Sequence, residues 1–129
     1  MTSRRLASAW DPVIAFERAD DGPWTLRDQS TGMLCRSGQD TADAALVDYA
    51  YLGRLALPDR QADVLVFTGI HPPGTLGVVQ LIASDIGDLC AQVGDRRFAV
   101  IVQVAYDRET HEPQLVSLAT PLYQHESAG

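Results

Sequence analysis

The sequence predicts a small α/β fold, with α+β as the alternative: a mixed β-sheet built round a central β-α-β unit and preceded by an N-terminal β-hairpin. Three observations point there. Residues 64–70 (VLVFTGI) and 98–106 (FAVIVQVAY) are long apolar runs rich in β-branched residues, the pattern of strands covered on both faces. Between them Leu76, Val79, Ile82, Ile86, Leu89, Cys90 and Val93 recur at steps of three and four, which is the spacing of one helical face. Upstream, residues 24–28 and 33–36 flank Gln29-Ser30-Thr31-Gly32, whose glycine suits the left-handed position of a hairpin turn.

In chain order, residues 1–11 read as a flexible lead or a short helix. Residues 12–37 read as extended, with a short strand at Val13–Phe16, a turn at Asp20-Asp21-Gly22-Pro23 and then the hairpin. Residues 41–57 fit two periods. Thr41 is placed to cap a short helical turn over 41–45. Val47, Tyr49, Tyr51, Gly53 and Leu55 then line one face of a strand over 47–56. The helix is expected to begin by Thr75, with Asp85 as a possible restart and Gly94 as its stop. A polar turn over 107–113 leads to a last strand over 115–123, where Pro121 marks an edge or an end. Two covered strands joined by a helical crossover imply parallel, right-handed pairing of 64–70 with 98–106. The strands near 47–56 and 114–122 would flank that pair antiparallel.

The chain of 129 residues fits one domain spanning 1–129, with an α/β core over 45–126. Its net charge of −7, from 17 acids and 10 bases, repels phosphate backbones, so no direct nucleic-acid partner is expected. A basic protein partner would suit it better. Arg4 and Arg5 are not followed by an apolar run, and no stretch approaches the ~20 apolar residues of a membrane span. The expectation is a cytoplasmic protein without membrane contact. Cys35 and Cys90 belong to no CxxC pair and are expected as reduced, buried thiols, with a disulfide left open. The three histidines have no carboxylates at ligand spacing, so no metal site is expected, and nothing in the sequence calls for a cofactor.

The candidate site is the turn Gly69-Ile-His-Pro-Pro-Gly-Thr75. In an open α/β sheet, ligands collect beyond the carboxyl ends of the strands. The first free N–H groups of the following helix offer donors and partial positive charge. Gly69 and Gly74 let a ligand approach the backbone, Thr75 caps the helix or donates, and His71 either bonds a ligand or moves a proton. Tyr51 is a candidate pocket wall. The turn has neither a GxxxxGK[ST] nor a GxGxxG phosphate signature, and its two prolines remove two donors. A purely structural turn, stiffened by the prolines, explains the same residues. Asp48 fits either a strand edge or a position facing the pocket, with exposure the expectation, and His111 is expected in water.

Asp48-Tyr-Ala-Tyr-Leu-Gly-Arg-Leu55, Gly69-Ile-His71 with Gly74-Thr75, Arg96-Arg-Phe98 and Thr120-Pro-Leu-Tyr-Gln-His-Glu126 occur in that order. Together they resemble the C-terminal α/β sensor-like domain of some actinobacterial helix-turn-helix transcription regulators, a domain found also in some antiphage and signalling proteins. The resemblance covers roughly 45–126. It implies a sensing or interaction module in which His71, Gly74 and Thr75 contact whatever is sensed. This chain departs from the family in lacking a recognisable helix-turn-helix, which implies action through a partner.

Two functional expectations follow. The first is a non-catalytic regulatory domain that senses a small-molecule ligand or binds a protein partner. It allows a homodimer through an exposed edge near 114–122 or 47–56. The second is a small hydrolase or nucleotide-processing enzyme using His71. An enzyme needs another titratable group converging on His71, for which Asp48 and Tyr51 are the nearest candidates.

Overall fold

The computed structural model describes residues 11, 13–20, 22–40, 46–55, 64–93 and 97–125. Eight strands, a 3₁₀ turn and one long α-helix make up these residues. Strands β1 (Ile14–Arg18), β2 (Trp24–Asp28) and β3 (Met33–Arg36) form an antiparallel sheet in that order. The hairpin is where the sequence places it. Gly32 takes a φ of 79°, and its N–H closes the turn on the Asp28 carbonyl at 2.8 Å. A 3₁₀ turn at Gly38–Asp40 leads towards β4 (Val47–Leu55). Next come β5 (Val64–Gly69), α1 (Pro72–Val93), β6 (Arg97–Tyr106), β7 (Pro113–Leu118) and β8 (Tyr123–His125). The expected helical turn over 41–45 and the Gly94 stop lie outside the described residues, as does the lead except for Asp11.

The α/β class holds, but the strand order corrects the expected pairing. The second sheet runs β5-β4-β6-β7, with β8 also on β6, and every pairing in it is antiparallel. Strands β5 and β6 do point the same way, because both oppose β4, but β4 lies between them. The 22-residue helix spans that gap, which is two strand spacings or roughly 10 Å. Thus β5 is a rim strand and not a central one. Its Leu65 and Phe67 are 39% and 36% exposed, while β4 is buried along most of its length. A continuous apolar run therefore marks here an edge whose outer face is left uncovered.

Alternation along β4 and β6 separates two cores. Ala50, Leu52, Phe98, Val100, Val102 and Val104 face α1 and pack with its Val78 and Leu81. Tyr51, Leu55, Ala99 and Ile101 face the other way, onto Ile14, Phe16, Leu26 and Cys35 of the small sheet. The five-stranded sheet is thus the middle of three layers. Each fully buried aliphatic side chain at these faces contributes about 1.5–3 kcal/mol. The α1 helix has begun by Thr75, as expected, with its first residue at Pro72, and it runs unbroken past Asp85. Both prolines are accommodated because N–H groups of a first turn have no helical partner to lose.

The last expected strand is divided. At the break, the Thr120 hydroxyl accepts the Ile101 N–H at 3.1 Å, and the Ala119 N–H donates to the Ile101 carbonyl at 2.8 Å. These bonds carry the β6 ladder across a gap in which Pro121 has no donor to give. Asp11, expected in a loose lead, is 8% exposed. Its Oδ1 accepts the N–H groups of Val13 and Ile14 at 2.8 Å each, and its Oδ2 accepts the Tyr51 hydroxyl at 2.5 Å. Cys35 is a free, buried thiol, pushed up to about 11 by burial and by the nearby Asp28 charge, so it is a poor nucleophile. No helix among the described residues is long and apolar enough to cross a membrane.

Candidate functional site

The β5–α1 turn is organised by a residue from a neighbouring strand. Asp48 lies near the start of β4, opposite Val104 of β6, on the side facing α1. It is fully buried, against the expectation of exposure. Its Oδ2 accepts the His71 N–H at 3.0 Å and the Gly74 N–H at 2.8 Å. The helix N-terminus therefore already holds a carboxylate, one belonging to the chain itself. The remaining donors are taken as well. The Ile70 N–H bonds the Tyr49 carbonyl at 2.9 Å, the Thr75 N–H reaches the His71 carbonyl at 3.4 Å, and the Gly69 N–H donates to Thr75 Oγ1 at 2.8 Å. Thr75 is thus inside the first helical turn, latching the end of β5, and does not act as the N-cap.

This packing explains both glycines. A Cβ on Gly74 would lie 2.6 Å from Asp48 Oδ2 and 2.7 Å from the Tyr49 carbonyl. One on Gly69 would collide with the Thr75 amide nitrogen and lie 2.5 Å from the His71 carbonyl. Each glycine is required by the chain's own close approach to itself. The expected row of backbone donors facing open space is not present at this turn.

The electrostatics follow from burial. Burial pushes the Asp48 carboxyl above its ordinary value, against the Ser37 hydroxyl and the amides of Gly74, Tyr49 and His71, which pull it down. Asp48 Oδ1 is buried and accepts no hydrogen bond of normal geometry. The ring of His71 turns outward, with Nε2 2.8 Å from Asp40 Oδ2 in the 3₁₀ turn. About a third of the His71 side chain, 31%, stays in solvent, against 15% for Asp40. Tyr106 closes the inner side: burial, together with the charges of Asp48 and Asp40, raises its phenol, opposed by Gln39 and Arg108.

Outside this junction lies an open depression of about 450 Å³. Ile70, Pro72 and Leu76 are its apolar lining residues, and Thr68, Gly69, His71 and Thr75 complete the lining. Four of the five candidates (Gly69, His71, Gly74 and Thr75) therefore meet at one turn. Tyr51 stands apart. It is fully buried on the opposite face of the sheet, against Phe16 and Asp11, and has no place in this depression.

One feature, Asp40, was missed in the sequence, and Asp48, a candidate there to converge on His71, was expected at an exposed edge. Asp40 gives His71 its ring partner, and Asp48 holds its backbone. The signal for Asp48 was an acid on the helix-facing parity of a strand, since an unpaired charge is rarely left there. A second depression of about 350 Å³ lies beside Asp28, Thr120 and Tyr123. There the Tyr123 hydroxyl donates to Asp28 Oδ2 at 2.5 Å and the Ser30 hydroxyl to Oδ1 at 2.7 Å. Burial would raise the Asp28 carboxyl, but these hydroxyls with the Ser30 and Thr31 amides outweigh it and hold it below its ordinary value. That cluster fastens the hairpin to β8. His111 is exposed, as expected, with its ring edge on Tyr106. No group of three His, Cys, Asp or Glu side chains suited to a metal ion occurs among the described residues.

No family model, no curated protein and no solved structure matches this chain.

Proposed function

We propose that this chain is a non-catalytic binding domain whose ligand sits in the depression beside the β5–α1 turn. The observation that carries this reading is His71. Its ring is fixed by Asp40 at 2.8 Å, its side chain remains partly in solvent, and the residue lines an otherwise largely apolar hollow. A few convergent polar groups on apolar walls are the usual make-up of a small-molecule site. The matching ligand is a small, mostly apolar molecule with one hydrogen-bonding group for the free imidazole nitrogen. Anions are disfavoured, because Asp48 occupies the helix N-terminus that would hold them. The regulatory sense of the binding comes from the likeness of residues 45–126 to sensor-like domains of actinobacterial regulators. Occupancy would change the adjoining β5 surface, and a partner would read that change.

The His71–Asp40 pair also favours a second reading, a hydrolase in which the pair activates water. Against it, the amides that would stabilise an oxyanion at this turn are already bonded to Asp48 or to neighbouring carbonyl and hydroxyl oxygens.

Native mass spectrometry, before and after solvent extraction of the purified protein, tests the binding reading. The expected result is a retained small molecule in the wild type that is absent from Leu76→Arg, a change at a half-exposed wall that fills the hollow without entering the core. A wild type that carries nothing, or a molecule retained equally by Leu76→Arg, would count against it.

A further inference from the structure

We infer that the rim strand β5 is a homodimerisation edge, on which a second copy of this chain pairs antiparallel about a two-fold axis at Val66. Three observations lead there. The first is backbone direction. The Ile70 N–H points inward, to the Tyr49 carbonyl of β4. Directions alternate along a strand, so the main-chain groups of Thr68 and Val66 also face β4, and those of Leu65 and Phe67 face off the sheet. No described residue pairs with that side of β5.

The second observation is the exposed apolar strip beside these groups. Leu65 and Phe67 lie on the α1 side of the sheet at 39% and 36% exposure.

The third is charge, and it selects the occupant. From Val64 to Ser84 the chain has no Asp, Glu, Lys or Arg. Edge strands of monomers are commonly guarded by such charges, and this one is not. A basic partner would find no carboxylate on the strip to pair with. Two copies at −7 each repel one another least where both are neutral. The strip is also its own complement. With Val66 facing Val66 of the second copy, Leu65 of each chain faces Phe67 of the other. All four residues have outward-pointing main chains, so the ladder closes without a slip. The axis stands perpendicular to the sheet, so both α1 helices fall on one side. Leu65 and Phe67 do not line the depression.

Sedimentation equilibrium over a hundredfold concentration range tests this. The expected wild-type mass is twice 14.0 kDa. Phe67→Glu is expected to weaken the dimer at least about tenfold, since it puts like charges at the centre of the seam. If Phe67→Glu fails to fold by circular dichroism, Leu65→Glu, at a 39% exposed position facing Phe67 of the other copy, gives the same readout. Leu115→Glu, at a 67% exposed position on β7, is expected to leave the dimer intact. A monomeric wild type, a dimer that survives the β5 changes, or one broken by Leu115→Glu would each overturn the inference.

Discussion

Tyr51→Ala is expected to destabilise the chain by about 3–5 kcal/mol, the range for removing a fully buried aromatic side chain. The reasons are local and named. The ring is fully buried between β4 and the small sheet, with the Phe16 ring centroid 6.3 Å away. A Cβ on Gly53 would collide with the Tyr51 hydroxyl, so that glycine is the space along which the ring extends. From there the hydroxyl reaches Asp11 Oδ2 at 2.5 Å. Tyr51→Phe keeps the packing and removes only this donor, and is expected to cost about 1–3 kcal/mol. The phenol itself is raised far above its ordinary value by burial and by the Asp11 carboxylate, so it remains protonated. Urea unfolding at neutral pH measures both variants. A Tyr51→Phe loss equal to the alanine loss would mean that the hydrogen bond, and not the packing, holds the two sheets together.

Asp48→Ala is expected to cost about 2–4 kcal/mol, because it leaves the His71 and Gly74 amides without their acceptor and opens a space beneath the turn. Asp48→Asn keeps an oxygen where Oδ2 stands and removes the charge. The sign of its pH dependence follows from burial. The Asp48 carboxyl is raised in the folded chain above its ordinary 3.8, so the folded state binds its proton more tightly than the unfolded state does. Wild-type stability from this group is therefore greatest below the unfolded value. It falls as pH rises through the folded value and stays lower above it. Asp48→Asn lacks that term. Its urea midpoint is expected to gain on the wild type as pH rises from acid to neutral. A difference that is flat with pH would show that the hydrogen bonds fully offset the burial.

The elements most legible in the sequence are those whose cause is local. The hairpin over 24–36 follows from Gly32, and the helix is where the spacing of Leu76, Val79 and Ile82 puts it, although Val78 and Leu81 are the buried residues packed on the sheet and Leu76 and Val79 are exposed. Strand order was not legible, because hydrophobicity reports burial and not neighbours. In β4, Asp48, Gly53 and Arg54 interrupt the run and hide the strand that is covered on both faces. In β5, Leu65 and Phe67 complete a run that is covered on only one. Much the same holds at the turn. Gly69, His71, Gly74 and Thr75 adjoin one another in sequence and were found together. What holds them arrives from 23 residues upstream in Asp48 and 31 in Asp40, beyond the reach of any local pattern. Thr75 is an N-cap by rule, but Pro72 and Pro73 take the first helical positions and leave its hydroxyl to Gly69.

The central claim is that an internal carboxylate clamps the β5–α1 turn. A pH titration by nuclear magnetic resonance, reading the Asp48 carboxyl carbon with the amide protons of His71 and Gly74, tests it most directly. The expected result is a single midpoint above 3.8 shared by all three signals. Amides that ignore the titration of the carboxyl, or that follow another group, would contradict the clamp and return the helix N-terminus to a ligand.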